Sequence, residues 1–150
     1  MLHVTRHWFG PEEDKTDCFR LRTQVFIEEQ KFQEEFDDID DIALHLLLTR
    51  EGEPVATARI FEQDSRWWIG RICVAKRCRK DGIGTLTLLL CEDKLRELGA
   101  GESYLKAQMQ AKGFYEKAGY RAQGETFEDE GCAHILMCKD LTAHCCGCHQ

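Results

Sequence analysis

Apolar and polar positions divide the chain into short runs of strand-like alternation, interrupted by two stretches of helical period. Residues 2–9 alternate and stop at Gly10-Pro11, which predicts a first strand. From residue 12 to about residue 30, Phe19, Leu21, Val25 and Phe26 recur at helical spacing. The next dozen residues are acidic and aperiodic, a loop or short helix. Residues 43–49 and 55–61 flank Glu51-Gly52-Glu53-Pro54, a hairpin signal, and residues 66–74 add a third consecutive strand. A basic turn from Arg79 leads into a helix reaching about Leu98, with Leu88, Cys91, Leu95 and Leu98 on one stripe. Gly99 and Gly101 end it, as glycines do past helix C-termini. Residues 103–108, 120–124 and 133–139 read as strands and 111–118 as a short helix. Antiparallel strands followed by strand–helix–strand units predict an α/β (α+β) fold, a mixed, largely antiparallel sheet with helices on both faces.

Composition narrows this to one domain with one core, since 150 residues at 43% hydrophobic content suffice for it. No apolar run reaches the ~20 residues of a membrane span, and the first residues lack a signal-peptide core. A soluble cytoplasmic protein is expected, with no membrane partner. The net charge of −7 argues against a nucleic-acid surface and suits a basic acceptor such as an amine. Acidic residues gather at 12–14 and 34–41, as solvated loops or as an amine-attracting rim; both readings stay open. The nine cysteines are odd in number, and reduced thiols are the default. Cys73 and Cys91 fall in apolar patterns and read as small core residues. The tail His144-Cys145-Cys146-Gly147-Cys148-His149 carries soft ligands, but so bunched that no closed tetrahedral metal site is expected.

The segment Arg79-Lys80-Asp81-Gly82-Ile83-Gly84-Thr85 lies between a buried-strand pattern and a helix pattern, the arrangement of an anion cradle. Glycine lets backbone approach a ligand, and the N–H groups of a first helical turn lack internal partners. Those donors and the helix dipole favour phosphate, and Arg79 can add a two-donor contact. A P-loop is excluded because no Gly-Lys-Ser/Thr follows. A dinucleotide fingerprint needs a third glycine that is absent here.

The order Arg-x-x-Gly-x-Gly resembles the acetyl-CoA pyrophosphate loop of the GNAT N-acetyltransferase superfamily. Downstream, the run from Ala107 to Tyr120, with Phe114-Tyr115-Glu116-Lys117-Ala118-Gly119-Tyr120, is similar to that superfamily's later strand–helix–strand. Arg22-Thr23-Gln24-Val25-Phe26-Ile27-Glu28-Glu29-Gln30, Asp40-Asp41 before His45, and Gly131-Cys132-Ala133-His134 resemble a small bacterial subgroup. The matches span residues 3 to 139 in family order. The resemblance implies a GNAT fold whose sheet splays between its fourth and fifth strands, an N-acetyltransferase domain over 1–140, and a Cys/His-rich tail over 141–150.

It further implies site residues. Pantetheine would lie along Ile72, Cys73 and Val74, with the Val74 N–H polarising the thioester carbonyl. Arg79, Lys80, Asp81, Gly82, Ile83, Gly84 and Thr85 would wrap the pyrophosphate. Lys80-Asp81 departs from the family's common form, a glycine followed by a basic residue, and Asp81 brings a like charge toward the phosphates. Tyr115 would be the general acid for the leaving thiolate, and an aromatic residue packed on the sheet is the alternative. Gln108 and Lys117 would neighbour CoA.

The base is drawn from Glu28, Glu29, Asp40, Asp41, His45 and His134, with Glu29 and His45 carried as catalytic candidates. His45 alternates with Leu44, Leu46 and Leu48, which turns it away from one apolar layer and suits a structural role as well. Arg22 and Glu29, at i and i+7, are a structural pair or line an acceptor pocket. A covalent acyl-cysteine at Cys73 would need a base and a positive environment that the sequence does not display. The expected function is an acetyl-CoA-dependent N-acetyltransferase attacking directly from a primary amine of a small molecule or peptide. An acyltransferase of longer chains and a non-catalytic CoA-binding protein are the alternatives, and a homodimer stays open.

Overall fold

A computed structural model describes residues 3–31, 36–129 and 131–142. Residue 2, where the first strand is expected to begin, part of the acidic run at 34–41, and the Cys/His tail from residue 143 lie outside them.

The helix expected from residue 12 starts later. Glu13 N–H donates to the Gly10 carbonyl in a turn, and Asp14 accepts from the Thr16 N–H at 2.9 Å, fixing the start of α1 (Thr16–Arg22). The chain then continues as a π-helical segment, Thr23–Glu29, in which the Gln30 N–H reaches the Val25 carbonyl five residues back. The acidic stretch contributes a short 3₁₀ turn, Asp38–Asp41, closed by a capping box between Asp37 and Asp40.

The strands are β1 (Val4–Phe9), β2 (Leu44–Arg50), β3 (Glu53–Gln63), β4 (Arg66–Val74), β5 (Glu102–Gln108), β6 (Arg121–Asp129) and β7 (Cys132–Asp140). The remaining helices are α2 (Ile83–Glu97) and α3 (Lys112–Lys117). The sheet is seven-stranded and mixed, in the order β1-β2-β3-β4-β5-β7-β6, as the mixed α/β reading anticipates.

The chain divides into two compact units, Met1–Phe61 with Ile69–Cys91, and Glu62–Trp68 with Glu92–Gln150. In the first, β1, β2 and β3 are successive antiparallel neighbours, with Phe9 opposite His45 and Leu46 opposite Ala58. Its core gathers Leu46, Leu48, Ala56, Ala58, Ile60, Ile83 and Leu88. Four consecutive positions of β2, His45 to Leu48, are buried, so both faces of this strand are covered. His45 points away from the layer of Leu46 and Leu48, as its alternation indicates, and the face it occupies is covered as well. Near the end of β4, Arg71 takes a left-handed φ of 49°, a local break in the strand, and the Ala75 N–H then anchors to the Val55 carbonyl at 2.8 Å.

In the second unit, β5 joins β4 in parallel at Trp68↔Tyr104, and β7 lies antiparallel to both β5 and β6. Leu95, Leu105, Met137, Cys138 and Leu141 are buried here, whereas Leu98, expected on the buried stripe, is exposed beyond the end of α2.

Candidate functional site

The loop from β4 to α2 is pinned at both ends and open between them. Cys78, ending a 3₁₀ turn (Lys76–Cys78), and Ile83, opening α2, are buried; Arg79, Lys80, Asp81 and Gly82 are exposed. Arg79 is extended, Lys80 has φ of 78° and Gly82 has φ of 81°. A Cβ on Gly82 would meet no atom within 4 Å, so glycine serves the left-handed backbone there rather than space. The Leu86 N–H makes the first helical bond, to the Gly82 carbonyl at 3.1 Å. The N–H groups of Ile83, Gly84 and Thr85 are then first-turn donors, outside the helix's own ladder. These positions and an exposed guanidinium are the donor set that a pyrophosphate requires.

Glu29, at the end of the π-helical segment, accepts from both terminal nitrogens of Arg79, at 2.6 and 2.9 Å, while Arg79 Nε donates to the Val74 carbonyl at 3.1 Å. The hydrogen bonds from Arg79 hold the Glu29 carboxyl below its ordinary range, and Glu29 raises Arg79 in turn. The sequence-expected proton acceptor thus occupies the sequence-expected phosphate ligand. Asp81 is neutralised by Arg50 at 3.2 Å, which also donates to Cys78 Sγ. Ile72 and Val74 are partly exposed, and Cys73 is 4% exposed. Beside them lies a cavity of about 460 Å³ lined by Gln24, Val25, Glu28, Glu29, Ala75, Lys76 and Arg77.

A second charged cluster of this unit is buried at its centre, Arg22, Asp40 and Arg59. Arg22 donates to both Asp40 oxygens at 2.8 and 3.1 Å, and Arg59 bridges Asp40 at 2.9 Å and Asp37 at 2.6 Å. Arg71 reaches Asp37 at 3.3 Å. Burial pushes the Asp40 carboxyl up, but Arg22 and Arg59 outweigh it and hold the group at about 2. The pairing of Arg22 with Glu29 is not formed: the π-helical turns break the helical repeat that would align i with i+7, and each residue takes a different partner. His45 Nε2–H donates to the Asp40 carbonyl at 3.2 Å, and burial lowers its pKa to about 4, so the imidazole is neutral. At 1% exposure His45 supports the fold of the acidic turn. Asp41 is exposed on that turn.

Tyr115, Gln108, Lys117 and His134 belong to the second unit. Tyr115 sits half-buried on α3, its ring edge-on to Phe114 at 5.1 Å and to Tyr120 at 6.0 Å. The Tyr120 hydroxyl donates to the buried Glu92 at 2.9 Å and lies 2.8 Å from Ser103 Oγ; Lys139 pairs with Glu92 at 3.0 Å. Gln108 stands opposite His134 in the β5–β7 register and accepts a hydrogen bond from Gln110. Lys117 is exposed. His134 is 7% exposed, stacks on Phe127 and lies 2.9 Å from the Cys132 carbonyl through Nδ1. Arg50 and the Glu92–Tyr120–Lys139 group are absent from the sequence-derived site. Their partners are 28 to 47 residues away, and no local spacing signals them.

Among the described residues, no group of three His, Cys, Asp or Glu side chains could hold a metal ion, and no helix is long and apolar enough to cross a membrane.

The chain is similar to known proteins in sequence and in fold. The model of the acetyltransferase (GNAT) domain matches residues 12–141. The Bacillus subtilis protein named Uncharacterized protein YyaT is 35% identical over 87% of this chain and 92% of its own length. Uncharacterized N-acetyltransferase YjcF, also of Bacillus subtilis, is 36% identical over 86% of this chain and 94% of its own. The crystal structure of Escherichia coli ElaA superimposes with a TM-score of 0.82 at 26% identity, covering 92% of this chain and all of that one. A CoA thioester and an acceptor are the substrates that this fold serves, and the chain belongs to the GNAT acetyltransferase family.

Proposed function

We propose that the protein is an N-acetyltransferase that moves the acetyl group of acetyl-CoA to a primary amine of a small molecule or peptide. The observation that carries this reading is the Arg79–Thr85 loop, where left-handed Lys80 and Gly82 deliver three first-turn N–H donors next to an exposed guanidinium. Those donors, with Arg79, would hold the pyrophosphate. The backbone of Ile72 to Val74 would take the pantetheine as an added strand, and the Val74 N–H would stabilise charge developing on the thioester oxygen. The neutral amine nitrogen attacks the acyl carbon, the C–S bond breaks, the departing thiolate takes a proton from Tyr115, and the proton shed by the amide nitrogen returns through water to the phenolate. A phenol with a reference pKa of ~10 is suited to a thiolate leaving group near 8.5. Gln108 and Lys117 would contact CoA. The domain over residues 1–140 would carry this activity.

The test is free-thiol release from acetyl-CoA across a panel of amines. Release with at least one primary amine, and none with matched alcohols, supports the reading. CoA binding without release for any acceptor overturns it in favour of a binding protein. Tyr115→Phe should retain CoA binding while losing roughly 10²–10⁴-fold in turnover; undiminished turnover removes Tyr115 from the mechanism.

A further inference from the structure

Arg79 presents one two-donor edge, and the Glu29 carboxylate fills it through both oxygens. A pyrophosphate needs that same edge. Two anionic groups cannot share it, because Glu29 and a phosphate would meet at like charge with one guanidinium between them. Either the carboxylate or the ligand occupies Arg79. The pair is built to exchange: both side chains are about one-third exposed, at 36% and 34%, unlike the buried pairs of Asp40. Exposed ion pairs are worth little and are readily replaced by a more highly charged anion. The third contact of Arg79, from Nε to the Val74 carbonyl, uses a different donor and need not break on exchange.

Glu29 also has somewhere to go. It lines the ~460 Å³ cavity together with Glu28, Gln24, Val25 and Ala75, the residue after Val74. While bound to Arg79 the carboxylate is a poor proton acceptor, since the guanidinium stabilises its ionised form. Released into the cavity it is freed of that bidentate stabilisation, and with Glu28 it supplies two carboxylates to a wall that also carries Lys76 and Arg77.

We propose that Glu29 is an internal stand-in for the CoA pyrophosphate, displaced from Arg79 when the acyl donor binds and thereby released as the proton acceptor for a cationic amine entering the adjoining cavity. The inference rests on the CoA reading of the Arg79–Thr85 loop. The proton leaves the ammonium nitrogen for a Glu29 oxygen, and the nitrogen keeps the electron pair with which it attacks. The device imposes an order: donor first, acceptor second.

The experiment compares wild type with Glu29→Gln and Glu29→Ala by calorimetric titration of CoA and of pantetheine, which lacks the pyrophosphate. Circular dichroism establishes that each variant is folded, and the two truncations guard against one failing to fold. Removing the competitor should tighten CoA roughly 2- to 5-fold and leave pantetheine unchanged. Acetyl transfer should nevertheless slow at neutral pH, and part of the loss should be recovered as pH rises toward the amine's own pKa, where no protein base is needed. Unchanged or weaker CoA binding by the folded variants, or an equal gain for pantetheine, overturns the proposal. If neither wild type nor variant binds CoA, the reading of the loop itself falls, which the first two outcomes would not bring about.

Discussion

Arg50, the last residue of β2, donates to the Asp81 carboxylate across 3.2 Å and offsets the one negative charge in the loop that should receive phosphates. Asp81 therefore does not act alone. Replacing Arg50 by methionine strips this compensation and should weaken CoA binding by about 2- to 5-fold at low salt, the range of an exposed pair. Asp81→Asn should move affinity in the opposite direction. A CoA titration at two salt concentrations checks both, because the effects shrink as salt rises.

Lys80, not a glycine, holds a left-handed φ of 78°. A left-handed non-glycine residue costs roughly 1–2 kcal/mol, partly offset by the greater unfolded-state entropy of glycine, about 0.5–1 kcal/mol. Lys80→Gly should therefore stabilise the protein by up to ~1 kcal/mol, raising Tm by a few degrees. A β-branched substitution, Lys80→Val, should lower Tm. Thermal unfolding followed by circular dichroism distinguishes them.

His45 is buried and its pKa lies at about 4 rather than 6.5. Its folded pKa is depressed, so the unfolded chain binds this proton more readily. Stability is complete above pH ~6.5 and falls as pH drops toward 4, by on the order of 3 kcal/mol over the window. Denaturant unfolding of wild type between pH 7 and 4.5 should show this slope, and His45→Gln should flatten it.

Asp40 compensates two buried arginines at once, Arg22 and Arg59. Asp40→Ala leaves both guanidinium groups without that carboxylate and should cost about 3–5 kcal/mol. Its carboxyl, at about 2 against 3.8, stabilises the fold above pH ~4, and this contribution fades as pH falls through 2. Chemical denaturation of the variant at neutral pH measures the first effect, and acid titration of wild type measures the second.

The parts of the molecule written in local pattern were legible. β4 spans 66–74 as alternation and turn signals indicate, and α2 begins at the glycine-bearing turn. The turn Asp64-Ser65 was not, since both residues take positive φ without a glycine. β6 runs to Asp129 rather than Gly124 because all nine of its positions are exposed, leaving no apolar period to trace it. At the candidate site, the residue types of the loop were readable. That Arg79 is held by Glu29, 50 residues earlier, was not, because only the assembled first unit brings them together. The burial of His45 was hidden for a related reason. Alternation reports one covered face, and β2 has two.

The π-helical stretch sets the rotational phase of everything that follows it up to Gln30. In an α-helix each residue advances the side chain by about 100°. Ordinary helix wound through the same seven residues would advance each side chain by about 100° instead of roughly 80°, and would swing the Glu29 position about a third of a turn from Arg79. The wide turns thus set the aim of a side chain: a substitution that favours ordinary winding should loosen the Glu29–Arg79 contact even at the solvent-exposed Gln24 and Glu28.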